Sequence, residues 1–229
     1  MATQHTFLDP PGGTSIYVYD GTVRLWHWLN VLCVFTLIGT GLLIASPLAS
    51  VSGEASANFL MGYIRFTHFT AAYLFAVLFL VRLYWAFVGN EHARQIFLLP
   101  VFRPVWWADL RRQVRWYLMI DEKAPKHVGH NPLGHFFMFL FTLASVFMMV
   151  TGFALYSEGK GLGSWQDRMF GWVIPLFGGS QSVHSWHHLF MWFIVSFVIL
   201  HVYAAIREEV MSRQTMLSAI ISGTRTFRD

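Results

Sequence analysis

The stretch from His184 to Ile206 contains no Asp, Glu, Lys or Arg, yet it carries His184, His187 and His188 near its start and His201 near its end. A charge-free apolar run of this length predicts a membrane-spanning helix. Imidazole is out of place in hydrocarbon unless something engages its nitrogens, because an unpaired polar group there is costly. His187 and His201 are 14 residues apart. At about 100° per residue this falls about 40° short of four turns, so both rings leave nearly one face, about 21 Å apart along the axis. His184 and His188 miss that face, by about 260° and about 220° beyond whole turns. Two rings on one face at two depths predict two stacked cofactors.

Three further runs are long enough to cross hydrocarbon, so the expected spans are about residues 24–45, 63–88, 132–156 and 184–207. Composition agrees: 12% of residues are charged, where soluble chains carry about 25%. Short polar or Gly/Pro-rich connections predict an all-α, integral-membrane, four-helix up-and-down bundle, one domain over residues 1–229. The single Cys33 lies in an apolar run, which excludes a disulfide framework and a thiolate cluster; no C-x-x-C-H is present for covalent haem attachment. The stretch up to Asp20, with Asp9-Pro10-Pro11-Gly12-Gly13, lacks the pattern of a cleavable signal peptide.

Basic residues set the expected orientation. Arg24, the seven Lys and Arg between the second and third spans, and Arg207, Arg213, Arg225 and Arg228 make twelve on one side, with Arg82 close by; Arg65, Lys160 and Arg168 are on the other. The positive-inside rule places both termini in the cytoplasm, in a bacterial inner membrane. The net charge of +4 is spread over loops and points to no nucleic-acid partner. Phe97 to Ile120 mixes Trp106, Trp107, Trp116 and Tyr117 with arginines, as a helix lying on the membrane surface does. The outer loop Ser157 to Val183, with Trp165, Phe170, Trp172 and Phe177, reads as a second interfacial segment and a docking surface.

This topology sorts the histidines by depth. His68 and His187 fall near the outer face, His27 and His201 near the inner face, and His135 near the inner end of the third span. Two neutral imidazoles on opposite sides of a haem iron leave no open position for oxygen, so the task of such a site is electron transfer. A Zn or Cu site from His184, His187 and His188, as in a metal transporter, is the competing reading. It has no adjacent carboxylate or thiolate and leaves His27, His68 and His201 unexplained. Gly39, Gly41 and Gly152 are expected to serve close helix packing rather than approach of a porphyrin. Arg24, Arg65 and Arg82 are expected to snorkel at helix ends rather than pair with haem propionates.

The motifs carry a resemblance. Val23-Arg24-Leu25-Trp26-His27-Trp28, Val51-Ser52-Gly53-Glu54, Met61-Gly62-Tyr63-Ile64-Arg65 and Tyr84-Trp85-Ala86-Phe87-Val88-Gly89-Asn90 occur in order, followed by Gly129-His130-Asn131-Pro132, Thr151-Gly152-Phe153-Ala154-Leu155-Tyr156-Ser157-Glu158 and the His184–His201 helix. Together, from about Tyr19 onward, they resemble the b-type cytochrome subunit of membrane-bound uptake nickel–iron hydrogenases. The wider family of four-helix dihaem cytochromes includes membrane subunits of formate dehydrogenases, and a cytochrome serving a formate or thiosulfate enzyme is the alternative within this fold.

The resemblance implies two non-covalent b haems, the outer held by His68 and His187 and the inner by His27 and His201. It implies that the chain has no hydrogen-splitting chemistry of its own. It would anchor a hydrogenase on the outer face, take electrons from the iron–sulfur small subunit and through it from the large subunit, and deliver them to membrane quinone. In the formate dehydrogenase relatives quinone sits beside the polar opening of the third span; here the matching positions are His130, Asn131 and His135. An electron moving inward works against the membrane potential, at about 2.3 kcal/mol per 100 mV crossed in full.

Overall fold

In a computed structural model, residues 13–48, 58–127, 129–212 and 214–227 are described. The motif Val51–Glu54, most of the turn-rich N-terminal stretch, and the basic residues Arg213 and Arg228 lie outside them. The chain is almost wholly helical. Four helices are long and apolar enough to cross a membrane: α1 (Gly21–Ala45), α2 (Leu60–Val88), α4 (Pro132–Lys160) and α7 (Ser180–Met211). At 25 to 32 residues they rise about 38–48 Å, more than the ~30 Å of hydrocarbon, so their ends reach the headgroup layers. Large apolar side chains stand exposed along them, among them Leu32, Phe35, Phe66, Leu80, Phe87 and Ile199, a surface that suits lipid rather than water.

The remaining elements are short. They are β1 (Ser15–Tyr17), α3 (Pro104–Tyr117), α5 (Trp165–Phe170), α6 (Val173–Leu176), α8 (Leu217–Ser222) and β2 (Thr224–Thr226), with a 3₁₀ turn at Glu91–Arg94. The two stretches expected at the interface hold α3, between α2 and α4, and α5 and α6, between α4 and α7. The strands are a departure from the expected all-helical reading. β1 and β2 pair antiparallel, with Ser15 opposite Thr226 and Tyr17 opposite Thr224, so the first and last described segments meet. Three-residue strands separated by nearly the whole chain carry no local sequence signal.

Contacts divide the chain into two compact units, within Met1–Leu25, Tyr84–Thr142 and Phe197–Asp229 for the first, and Trp26–Leu83 and Leu143–Ser196 for the second. The first unit is held by polar side chains buried at helix ends. Arg225 is fully buried, bonding Gln214 Oε1 at 2.9 Å and the Gly129 carbonyl. α3 buries Trp106, Asp109, Gln113 and Trp116, a spacing of three and four that makes one helix face. Arg207 of α7 lies over the Trp116 and Tyr117 rings, 4.8 and 4.6 Å from their centroids, and donates to the Tyr117 carbonyl at 3.0 Å. Beside it, Glu208 Oε1 accepts from Gln113 Nε2 at 2.8 Å, Asn131 Nδ2 at 2.9 Å and Tyr117 Oη at 3.1 Å. Burial, with this carboxylate adjacent, pushes the Tyr117 phenol above its usual range, which keeps it a donor. One buried carboxylate oxygen therefore ties α3, the start of α4 and the end of α7 together.

In the second unit α1 and α2 are joined where Trp26 Nε1 donates to the Leu78 carbonyl at 2.9 Å. Arg82 is buried and sits 5.4 Å from the Trp26 ring centroid, so it does not snorkel to a membrane surface as expected. Arg24 instead turns to the Ile221 carbonyl, at 2.6 Å, in the first unit. At the loop between α4 and α7, Ala154, Val173 and Val183 form an apolar nucleus with Phe170 and Phe177 against it. Gln166 Nε2 donates to Tyr73 Oη at 3.0 Å, which fastens α5 to α2.

Two expectations follow. Replacing Glu208 with Ala strands three donors in a buried setting and lowers stability by about 1–3 kcal/mol; Glu208→Gln keeps an acceptor oxygen and loses less, both read by thermal unfolding in detergent. Gly223 ends α8 at φ +90°, and a Cβ there would stand 2.6 Å from Tyr17 Cε2 and 2.8 Å from the Tyr19 carbonyl oxygen. Gly223→Ala is expected to cost about 1–2 kcal/mol and to make the paired segments at residues 15–17 and 224–226 more sensitive to limited proteolysis.

Candidate functional site

Of the histidines singled out by sequence, His68 on α2 and His187 on α7 are brought together in the second unit. His68 and Met191, one turn after His187, both stand against Gly41 of α1, and the two rings are held in matching ways. His68 Nδ1 lies 2.8 Å from Thr40 Oγ1 on α1, and His187 Nδ1 lies 2.8 Å from Thr151 Oγ1 on α4. Each threonine is followed by a glycine that the same ring covers. A Cβ on Gly41 would meet His68 Cε1 at 3.5 Å and Met191 Sδ at 3.7 Å; one on Gly152 would meet His187 Cε1 at 3.2 Å.

Gly41 and Gly152 therefore do more than allow helices to approach, as expected from sequence: they clear the space into which an imidazole from the next helix is pressed. The Gly152 distance is tight enough that an added methyl group would push the ring. Gly39 has nothing within 4 Å of the position a Cβ would take, so it has no such part. The threonines were not anticipated. Their only sequence signal is the recurrence of the dipeptide Thr-Gly at 40–41 and 151–152, which is too short to stand out without the histidines opposite.

His184 and His188 are set apart from this pair. Both are exposed; His184 Nδ1 donates to the Ser180 carbonyl at 3.0 Å, and His188 Nε2 accepts from Trp192 Nε1 at 3.2 Å. Among the described residues no group of three or more His, Cys, Asp or Glu side chains is arranged to hold a metal ion.

The remaining candidates are placed as follows. His27 lies on α1 in the second unit, edge-on to Trp28 at 5.2 Å between centroids. His201 lies on α7 in the first unit, stacked at 11° on Phe197, which in turn stacks on Phe141 of α4 at 4.5 Å. At the start of α4, Asn131 caps the helix: its Oδ1 accepts from Gly134 N at 2.6 Å while its Nδ2 serves Glu208. His130 Nδ1 is 3.1 Å from Gln95 Oε1, and the buried His135 donates from Nε2 to the Leu98 carbonyl at 2.8 Å. These three polar residues thus share one end of α4, each with a protein partner.

The arrangement at His68 and His187 fits a bis-imidazole iron site. A threonine hydroxyl on Nδ1 leaves Nε2 as the remaining nitrogen, and a second hydrogen bond of this type is what orients metal-bound histidines. Two imidazoles on one iron would supply electron transfer.

The model of the family described as prokaryotic cytochrome b561 matches residues 18–223. The chain is 59% identical over 216 residues to the probable Ni/Fe-hydrogenase B-type cytochrome subunit of Cupriavidus necator, covering 94% of this chain and 88% of that one. It is 56% identical over 217 residues to the protein of the same description from Azotobacter chroococcum, covering 94% and 90%. It is 47% identical over 218 residues to the probable Ni/Fe-hydrogenase 1 B-type cytochrome subunit of Escherichia coli K12, covering 93% and 92%. With nearly the full chain matched, and with four spanning helices that hold histidines as a b-type cytochrome requires, the chain belongs to the prokaryotic cytochrome b561 family.

Proposed function

We propose that this chain is the membrane-anchoring electron-transfer subunit of a nickel–iron hydrogenase, holding two b haems and delivering electrons to membrane quinone. The observation that carries the reading is the matched pair of Thr-held histidines, His68 and His187, on two different spanning helices. The relatives named as hydrogenase B-type cytochrome subunits support the hydrogenase over a formate or thiosulfate enzyme as partner. When bound, the haems supply one-electron transfer between the two membrane faces.

In this reading His68 and His187 hold the outer haem, and His27 and His201 the inner one. The exposed aromatic side chains Trp165 and Trp172 in the outer loop form the face on which the iron–sulfur small subunit docks. Both termini are on the cytoplasmic side of a bacterial inner membrane, in line with the excess of basic residues on that side. The quinone is received on the inner side, near His130, Asn131 and His135. There a hydrogen-bonding group released from its protein partner can meet a quinone carbonyl. Protons for the quinol then come from the cytoplasm, while those from hydrogen stay outside.

Two measurements test this. A pyridine haemochrome count of two per chain is expected, with His68→Ala or His187→Ala removing one haem and His27→Ala or His201→Ala the other; two haems retained in His201→Ala would overturn the ligand set. In oriented vesicles carrying the complex, hydrogen-driven quinone reduction should take protons from the cytoplasmic face, and uptake from the outer face would reject the inner quinone site.

A further inference from the structure

We infer that Thr40 and Thr151 are positioning residues that hold the Nδ1 proton of His68 and His187, so that Nε2 of each ring is a lone pair for iron and its donor strength is set by the threonine. This deepens the proposed bis-histidine outer site and rests on it. A hydroxyl has one proton and two lone pairs. Thr40 Oγ1 donates that proton to the Thr36 carbonyl at 2.6 Å, and Thr151 Oγ1 donates to the Phe147 carbonyl at 2.8 Å. With its proton given to the helix, each oxygen meets the imidazole as an acceptor. Nδ1 must then carry the hydrogen, and Nε2 in the neutral ring is bare.

Back-bonding to the carbonyl four residues earlier is ordinary for a helical threonine, and Thr36 does the same to the Leu32 carbonyl at 2.8 Å. What distinguishes Thr40 and Thr151 is the second bond, at the same 2.8 Å to the same nitrogen of a histidine on another helix. The glycine after each threonine lets the ring come close enough to make it. The device occurs twice, on α1 and on α4, once for each axial ligand of one proposed haem. Ligand basicity rises when Nδ1–H is engaged by an acceptor, so the pair stabilises the oxidised iron relative to the reduced.

The test uses the full chain purified with its haems. Thr151→Val and Thr40→Val are each expected to raise the midpoint potential of one haem, by about a tenfold change in its reduction equilibrium, which is about 59 mV for one electron. The low-spin ferric electron paramagnetic resonance signal of that haem should move with it. Thr151→Ser and Thr40→Ser keep the hydroxyl and should restore both readouts, and Thr36→Val should change neither. Loss of the haem in a Val variant but not in the matching Ser variant also supports the inference. It is overturned if the Val variants retain both haems with unchanged potentials and spectra, if Ser and Val shift or lose the haem equally, or if Thr36→Val gives the same shift. The haem count in His68→Ala and His187→Ala is separate: retention of both haems there rejects the outer ligand set itself, whatever the threonine variants do.

Discussion

An imidazole inside hydrocarbon has two nitrogens to satisfy and no water to do it, and the contacts of His68 and His187 are arranged around that constraint. Threonine is the residue that can answer it at low cost. Its hydroxyl gives its own proton back to the helix and still has a lone pair for Nδ1. The neighbouring glycine removes the methyl group that would otherwise stand in the ring's place. One nitrogen is thereby engaged by protein, which is how a metal-bound histidine is oriented with its other nitrogen toward the metal. The same logic explains why His184 and His188, three residues before and one after His187, are spectators. Each is exposed and already bonded within its own helix.

The unit that contains both chain ends solves a different problem. There charged and polar side chains at the helix ends converge on each other. Glu208 gathers three donors, Arg207 lies over two aromatic rings, and Arg225 spans from Gln214 to a backbone carbonyl. A buried carboxylate with three hydrogen bonds is tolerable where an isolated one is not. The result fastens α3 against the ends of α4 and α7 without requiring an apolar core of the usual size. The paired strands close the same region, holding the first and last described segments of the chain side by side.

The four spans were legible because hydrocarbon imposes a length and a polarity that no other environment demands, and the observed helices contain the expected runs with ends extended by a few residues. The amphipathic α3 was legible for a similar reason, its aromatic and basic residues repeating at helical spacing. The expectation that His187 and His201 share a face rests on helix periodicity alone. By contrast the part of Arg82 was misjudged: a basic residue near a helix end reads as a snorkelling side chain, and nothing in its neighbours announces that Trp26, 56 residues earlier, will lie beside it. Asn131 shows the two levels meeting. Its place before a helix marks it as a cap, but its second bond, to Glu208, joins positions 77 residues apart.

By itself, then, the order of residues determined where the membrane must be crossed, which face of the last helix carries two imidazoles, and which end of each helix is basic, since all three depend on spacing and local composition. Only the tertiary structure decided that Thr40 and Thr151 meet His68 and His187, that Gly41 and Gly152 clear space for rings rather than for backbones, and that Ser15–Tyr17 pairs with Thr224–Thr226. Those are contacts between helices distant in sequence, chosen by how side chains fit across an interface. A helix encodes its own face in its own period, but what stands opposite that face is encoded elsewhere in the chain.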